Sequence, residues 1–109
     1  TLKRNRLAIN RYQLRPRMLV DVSQRDLSTT ILGKSLAVPI LIAPMAFQCL
    51  AHPEGEIATA QAAASSGVVM VLSTMSTKSL EVVAAQRQHT PQWFQLYIHR
   101  DRGLTQTLV

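Results

Sequence analysis

The sequence is short of several things, and each shortage removes a class of protein. It has one cysteine, Cys49, so no disulfide can close within the chain and no cysteine-rich metal site can form. That usage suits a reducing compartment, and a cytoplasmic location is the expectation. A lone cysteine is a small packed side chain more often than a reactive thiol. Four glycines and five prolines among 109 residues exclude collagen-like and low-complexity chains. The longest apolar runs, around residues 38–46 and 68–72, fall far short of the roughly 20 residues a membrane helix needs. The basic N-terminus leads into more charge rather than an apolar run, so it does not read as a signal peptide. Phosphate cradles of the GxGxxG and GxxxxGK[ST] types are missing, as is a serine-hydrolase elbow. His52, His89 and His99 do not stand at metal-ligand spacing, and no metal is expected.

Acid is scarce as well, with six Asp and Glu against twelve Lys and Arg, a formal net charge of +6. Such a balance ordinarily suggests an anionic partner. Its position argues otherwise. Lys3, Arg4, Arg6, Arg11, Arg15 and Arg17 stand in the first 17 residues without an acid, and the remaining six bases are matched by six acids. The excess belongs to one end of the chain. No finger or helix-turn-helix pattern accompanies it, nor are the bases interleaved with stacking aromatics. A nucleic-acid partner is not expected.

What is present is a packed α/β texture, 47% hydrophobic. Residues 2–12 read as a short helix ended by Pro16, and the segments around 18–23 and 28–40 read as extended or hairpin, turning at Gly33. Residues 40–43 and 68–72 are continuous apolar runs, the mark of strands buried on both faces in a parallel sheet. Residues 92–98 read as a third strand. Between them, residues 53–66 predict a helix that opens with Pro53, Glu54 and Glu56 and stops at Gly67. A second helix is expected from about Ser79 to Gln86, with Ser76, Thr77 or Ser79 as cap, and a third after Asp101. Strand starts at 40, 68 and 92 make this a repeated βα unit. Eight such units form a (β/α)8 barrel of roughly 200 residues or more, and five or six form a doubly wound sheet. With three units in 109 residues, an incomplete domain is the expectation.

In both architectures ligands bind where strands end, which singles out three places. After the first strand comes Ala43-Pro44-Met45-Ala46, where small neighbours let a flat ligand approach the main chain, or where the strand simply exits. After the second comes Ser73-Thr74-Met75-Ser76, hydroxyls that serve either helix capping or a ligand. On the third strand Gln95 and Tyr97 are two apart and face one way, with Phe94, Leu96 and Ile98 facing the other. Buried without partners, an amide or hydroxyl costs about 2 to 7 kcal/mol, so either a structural network or a polar ligand must meet them.

Three joint motifs, IAPMA at 42–46, AHPEGE at 51–56 and FQLY at 94–97, now carry a resemblance that extends over essentially the whole chain. The chain resembles the first part of the FMN-dependent 2-hydroxy-acid oxidases and dehydrogenases, the glycolate and lactate oxidase family, and most of all its bacterial, cyanobacterial-like lactate-oxidising branch. LRPRMLVDVS and DLSTTILG are similar to the segment before that family's barrel. The resemblance implies the N-terminal portion of a (β/α)8 TIM barrel: residues 1–38 as a pre-barrel helix and hairpin, and residues 39–109 as the first three βα units of an incomplete FMN hydroxy acid dehydrogenase domain. It implies FMN as cofactor. Pro44, Met45 and Ala46 would border the flavin through the main chain, and Ser73 and Gln95 would hydrogen-bond its polar part. Tyr97 would serve catalysis by binding the substrate carboxylate. Met75 would line the substrate pocket, where glycolate oxidases typically have a tryptophan. Many members carry threonine at the position of Met45.

The implied reaction converts a small L-2-hydroxy acid, lactate or glycolate, to the 2-keto acid. Peroxide forms if oxygen is the acceptor, and another acceptor is the alternative. The family's histidine base, carboxylate-binding arginine, flavin-facing lysine and phosphate site have no counterpart motif here, so the 109 residues alone are expected to be inactive. A truncated non-catalytic remnant or an assembly partner for a complementary barrel fragment is the alternative, with a basic nucleic-acid-binding module behind it. Full-length members are expected to be homo-oligomers, with no membrane partner.

Overall fold

The computed structural model describes residues 1–108. Helix α1 spans Leu2–Ile9, ending short of the expected residue 12. None of its residues is buried, so no tertiary packing extends it past Asn10, a poor helix former. The stretch around 18–23 forms no strand, contrary to expectation. The Asp21 and Asp26 carboxylates each accept the N–H two residues on, from Ser23 at 2.9 Å and Ser28 at 2.8 Å, and these Asx turns compete with extended pairing.

The expected hairpin is present. Strands β1 (Thr29–Ile31) and β2 (Lys34–Leu36) pair antiparallel with Ile31 opposite Lys34. Leu32 at φ 50° and Gly33 at φ 73° form the two-residue turn between them. Positive φ at both positions is what a type I′ hairpin turn requires.

Three parallel strands follow in chain order, β3 (Leu41–Ile42), β4 (Val69–Leu72) and β5 (Gln92–Phe94). Helix α2 (Glu56–Ser66) connects the first pair and α3 (Leu80–Ala84) the second, and α4 (Arg102–Thr107) follows β5. Leu41 is in register with Val69, and Val71 with Trp93. The central strand β4 is buried along nearly its whole length, as its unbroken apolar run implied. The outer strands are shorter than the segments expected to form them. β3 has a single neighbour and leaves Ile40 exposed, while β5 ends at Phe94 because β4 ends at Leu72 and offers one more carbonyl, to the Gln95 N–H at 2.8 Å.

One face of the sheet carries the helices. Ala60 and Ala63 of α2 pack with Met70 and Leu72 of β4 and Val83 of α3, and Ile42 and Phe94 close the cluster from the flanking strands. The alanines lie three apart on one side of α2, and their lack of bulk permits the close approach of helix to sheet. Helix α2 begins at Glu56 and not at Pro53. Its N-cap is Gly55 at φ 51°, ψ −126°, a backbone conformation outside the helical region. A Cβ at Gly55 would meet the Cys49 Sγ at 2.5 Å, so both conformation and space demand glycine. Ser79 is the cap of α3, accepting the Val82 N–H at 3.5 Å, and Asp101 caps α4 through the Gly103 N–H at 2.8 Å. The expected extension of the last unit to residue 109 lies outside the described residues.

Candidate functional site at the strand ends

The polar residues singled out in the sequence meet where β3, β4 and β5 end. Alternation along a strand puts Val69, Val71 and Ser73 on the face opposite the helices, and in register with them Gln95 follows Trp93. The three exits are tied together by two hydrogen bonds, one between main chains and one from a side-chain hydroxyl. The Phe47 N–H donates to the Met75 carbonyl at 3.1 Å, joining the first exit to the second. The Thr74 hydroxyl donates to the Gln95 carbonyl, joining the second to the third.

Pro44, Met45 and Ala46 lie exposed just past β3, and Met75 stands partly exposed across from them. Ser73, 4% exposed, accepts the Met75 N–H on its Oγ at 3.1 Å, which leaves its hydroxyl hydrogen to offer elsewhere. Gln95 is half-buried, and neither its amide nor the Tyr97 phenol enters a hydrogen bond among the described residues. Tyr97 is 51% exposed. The expected third strand over 92–98 is thereby corrected: Gln95 and Tyr97 lie beyond β5, and water meets the phenol, so no burial cost forces a partner on it. Phe94 does face the helices, as the alternation required.

The site is an open rim. A cavity of about 330 Å³ lies at the other end of the sheet, lined among others by Lys34, His89 and Gln92, where strands begin. There both amide atoms of Gln92 are enclosed without a partner among the described residues. Among the described residues no cluster of three His, Cys, Asp or Glu could hold a metal, and no helix is long and apolar enough to cross a membrane.

The residue that sequence reasoning missed is Glu56. It was legible only as an acid at a helix N-terminus, yet its side chain has no exposed surface. Its Oε1 accepts the Thr77 N–H at 2.9 Å and the Gln48 N–H at 3.2 Å, and its Oε2 accepts the Thr77 hydroxyl at 2.5 Å. Burial pushes the carboxyl upward, but the donors outweigh it: the Thr77 hydroxyl and N–H, the Glu56 N–H and the Gln48 N–H hold it at about 2. Thr77 is therefore not a helix cap. Gln48, also buried, passes the connection on: its Nε2 donates to the Met45 carbonyl at 3.4 Å, and its Oε1 accepts the Thr59 hydroxyl at 2.6 Å. Between them Phe47 sits in the left-handed region at φ 54°, where a bulky residue is strained by about 1 to 3 kcal/mol. The AHPEGE segment carries the one available signal, a glycine immediately before an acid at a helix start.

The chain is similar to known proteins along its whole length. A family model described as FMN-dependent dehydrogenase matches residues 1–109. An L-lactate oxidase of Nostoc sp. is 65% identical over 100% of this chain and 31% of its own length. Glycolate oxidase 1 of Oryza sativa subsp. indica is 49% identical over 100% of this chain and 29% of its own. Among solved structures, a lactate oxidase structure from Pediococcus acidilactici superposes with a TM-score of 0.89 at 39% identity, covering 98% of this chain and 30% of the other. A mandelate oxidase mutant solved with (S)-mandelic acid gives 0.88 at 41% identity, covering 98% and 31%. The chain thus spans about 30% of the length of the relatives it matches.

Proposed function

The chain belongs to the FMN-dependent dehydrogenase family, and from that premise we propose that it supplies the first three βα units of a (β/α)8 barrel that oxidises a small L-2-hydroxy acid to its 2-keto acid. The observation that carries this reading is the convergence of three strand exits, joined by the Phe47 N–H to Met75 carbonyl bond and the Thr74 hydroxyl to Gln95 carbonyl bond, on the Gln95 amide and Tyr97 phenol, which have no partner within the described residues, and on the Ser73 hydroxyl, whose hydrogen is free to donate. The two methionines at the rim, Met45 and Met75, offer apolar wall, and Ser73, Gln95 and Tyr97 offer one hydroxyl hydrogen, one amide and one phenol. That mixture fits a flat heteroaromatic ring with a polar edge.

FMN, when bound, supplies the two-electron acceptor for the reaction. The chain's own residues hold and orient. The main chain at Pro44, Met45 and Ala46 would border the ring, the Gln95 amide and the Ser73 hydroxyl would meet its polar edge, and the Tyr97 phenol would donate to the substrate carboxylate. Met75 shapes the space beside the substrate's short side chain, and a flexible thioether there suits lactate. Oxygen, giving peroxide, or another acceptor would finally take up the two electrons and two protons that the hydroxy acid loses in becoming the keto acid. A cytoplasmic location and a homo-oligomeric assembly belong to the same reading.

A chimera tests it. Residues 1–109 replace the corresponding segment of the Nostoc L-lactate oxidase, and the product is assayed for bound flavin and for L-lactate, glycolate and mandelate oxidation. The reading predicts bound FMN and L-lactate turnover, with a Tyr97→Phe variant losing about tenfold or more in kcat/KM. A folded chimera without flavin would refute it. The 109 residues by themselves are expected to show no turnover, and L-lactate oxidation by them alone would refute that part.

A further inference from the structure

We propose that Glu56 is the positioning residue of this site, a buried carboxylate that clamps the exits of β3 and β4 into the arrangement that receives the ring. The inference rests on the proposed function for what the exits receive, but the clamp itself stands on geometry. One carboxylate takes three hydrogen bonds from two segments far apart in sequence, the Gln48 N–H after β3 and the Thr77 hydroxyl and N–H after β4. Three donors converging on one enclosed anion define its place closely, because charge-assisted hydrogen bonds are short and strong and an unmet donor in that position is costly.

Each end of the clamp leads to a rim residue. On the β3 side, Gln48 is fixed at its backbone by Glu56 and at its Oε1 by the Thr59 hydroxyl, which aims its Nε2 at the Met45 carbonyl. On the β4 side, Thr77 ends the short loop in which Ser73 Oγ accepts the Met75 N–H and the Ser73 carbonyl accepts the Ser76 N–H. The Phe47 N–H to Met75 carbonyl bond bridges the two sides, and Phe47 holds its left-handed backbone within this frame. Glu56 touches none of the rim groups assigned to the ring or substrate. It acts through Gln48 and Thr77.

The clamp is tested without any ligand by amide exchange on the full chain. In the wild type the Phe47, Gln48 and Thr77 amides are expected to be protected, and in Glu56→Gln they are expected to exchange at least tenfold faster, because the amide nitrogen of glutamine faces donors. A control, Val83→Ala, weakens the core without touching the clamp and should speed these amides no more than it speeds the rest of the chain. If Glu56→Gln fails to fold, Thr77→Val removes the hydroxyl alone and should speed the Gln48 and Thr77 amides about threefold, with Thr77→Ser restoring protection. Unprotected amides in the wild type, or rates unchanged in the Glu56 or Thr77 variants, would overturn the inference.

In the chimera the same Glu56→Gln change is expected to weaken FMN binding at least tenfold, read by flavin fluorescence, while Val83→Ala leaves it within twofold. A wild-type chimera that binds no FMN sinks the cofactor reading and leaves the exchange result standing. A folded Glu56→Gln chimera that binds FMN like the wild type sinks the positioning role and leaves the cofactor reading standing.

Discussion

Glu56 shows how much one side chain can hold when it is enclosed by donors rather than by opposite charge. Its carboxyl sits at about 2 in the folded chain against a usual 4.5. Because the folded value is depressed, the stabilisation is fully present above about 4.5 and is lost as pH falls through about 2. Stability measured by urea unfolding should therefore fall across this window in the wild type, and Glu56→Gln should be less stable at neutral pH and flatter in acid. The neighbouring glycine makes a second residue-scale case. Gly55→Ala should destabilise by about 2 to 4 kcal/mol, since it adds a clash to a strained φ. Placing Cys49→Ala in the same chain removes the Sγ that the new Cβ would strike at 2.5 Å, so the double variant should recover part of the loss. Neither residue announced its role in the sequence. An acid at a helix start is ordinarily a solvated partner of the helix dipole, and only the fold brings Gln48 and Thr77 to it across 8 and 21 positions.

The elements were far more legible than their ends. Strand β4 could be read because five consecutive apolar residues have to be covered on both faces, and the hairpin because Gly33 accepts a positive φ. What failed were boundaries set by neighbours. The strand-like alternation at β5 continues to Ile98, but a strand lasts only as long as the one beside it, and β4 stops at Leu72. Helix α2 was expected from Pro53, and the turn that delivers Glu56 to its donors uses up residues 53–55 first. Two predictions belong at this scale. Ala63→Leu puts a bulky side chain between α2 and β4 and should cost about 1 to 3 kcal/mol or more, whereas exposed Ala62 on the same helix should accept leucine nearly without effect. Of the two side-chain caps, Asp101 takes bonds at 2.8 and 3.3 Å and Ser79 one at 3.5 Å, so Asp101→Ala should cost α4 about 1 kcal/mol and Ser79→Ala should cost α3 less. Thermal unfolding of the four variants separates these outcomes.

At the scale of the molecule, the charge and the dimensions locate the same feature. Residues 1–28 are exposed throughout, carry six of the twelve bases in their first 17 positions, and extend the chain to a Cα radius of gyration of 18.1 Å. A compact chain of this length would measure about 13 Å. Solution scattering from the chain should give a value near 18 Å if this arm stands away from the sheet, and a value near 13 Å would show it folded back. The candidate site was legible where it rests on strand ends, which the βα repeat places without any knowledge of contacts. It was not legible in the loops behind those ends, where long-range hydrogen bonds set the shape. If these strand ends form one side of a flavin and hydroxy-acid site, Gln95→Ala and Tyr97→Phe should act differently in the Nostoc oxidase that carries residues 1–109 in place of its own segment. Gln95→Ala is expected to weaken FMN binding about tenfold, while Tyr97→Phe leaves FMN affinity within twofold and raises KM for L-lactate or lowers kcat. Flavin binding indifferent to Gln95, together with L-lactate kinetics indifferent to Tyr97, would refute both roles.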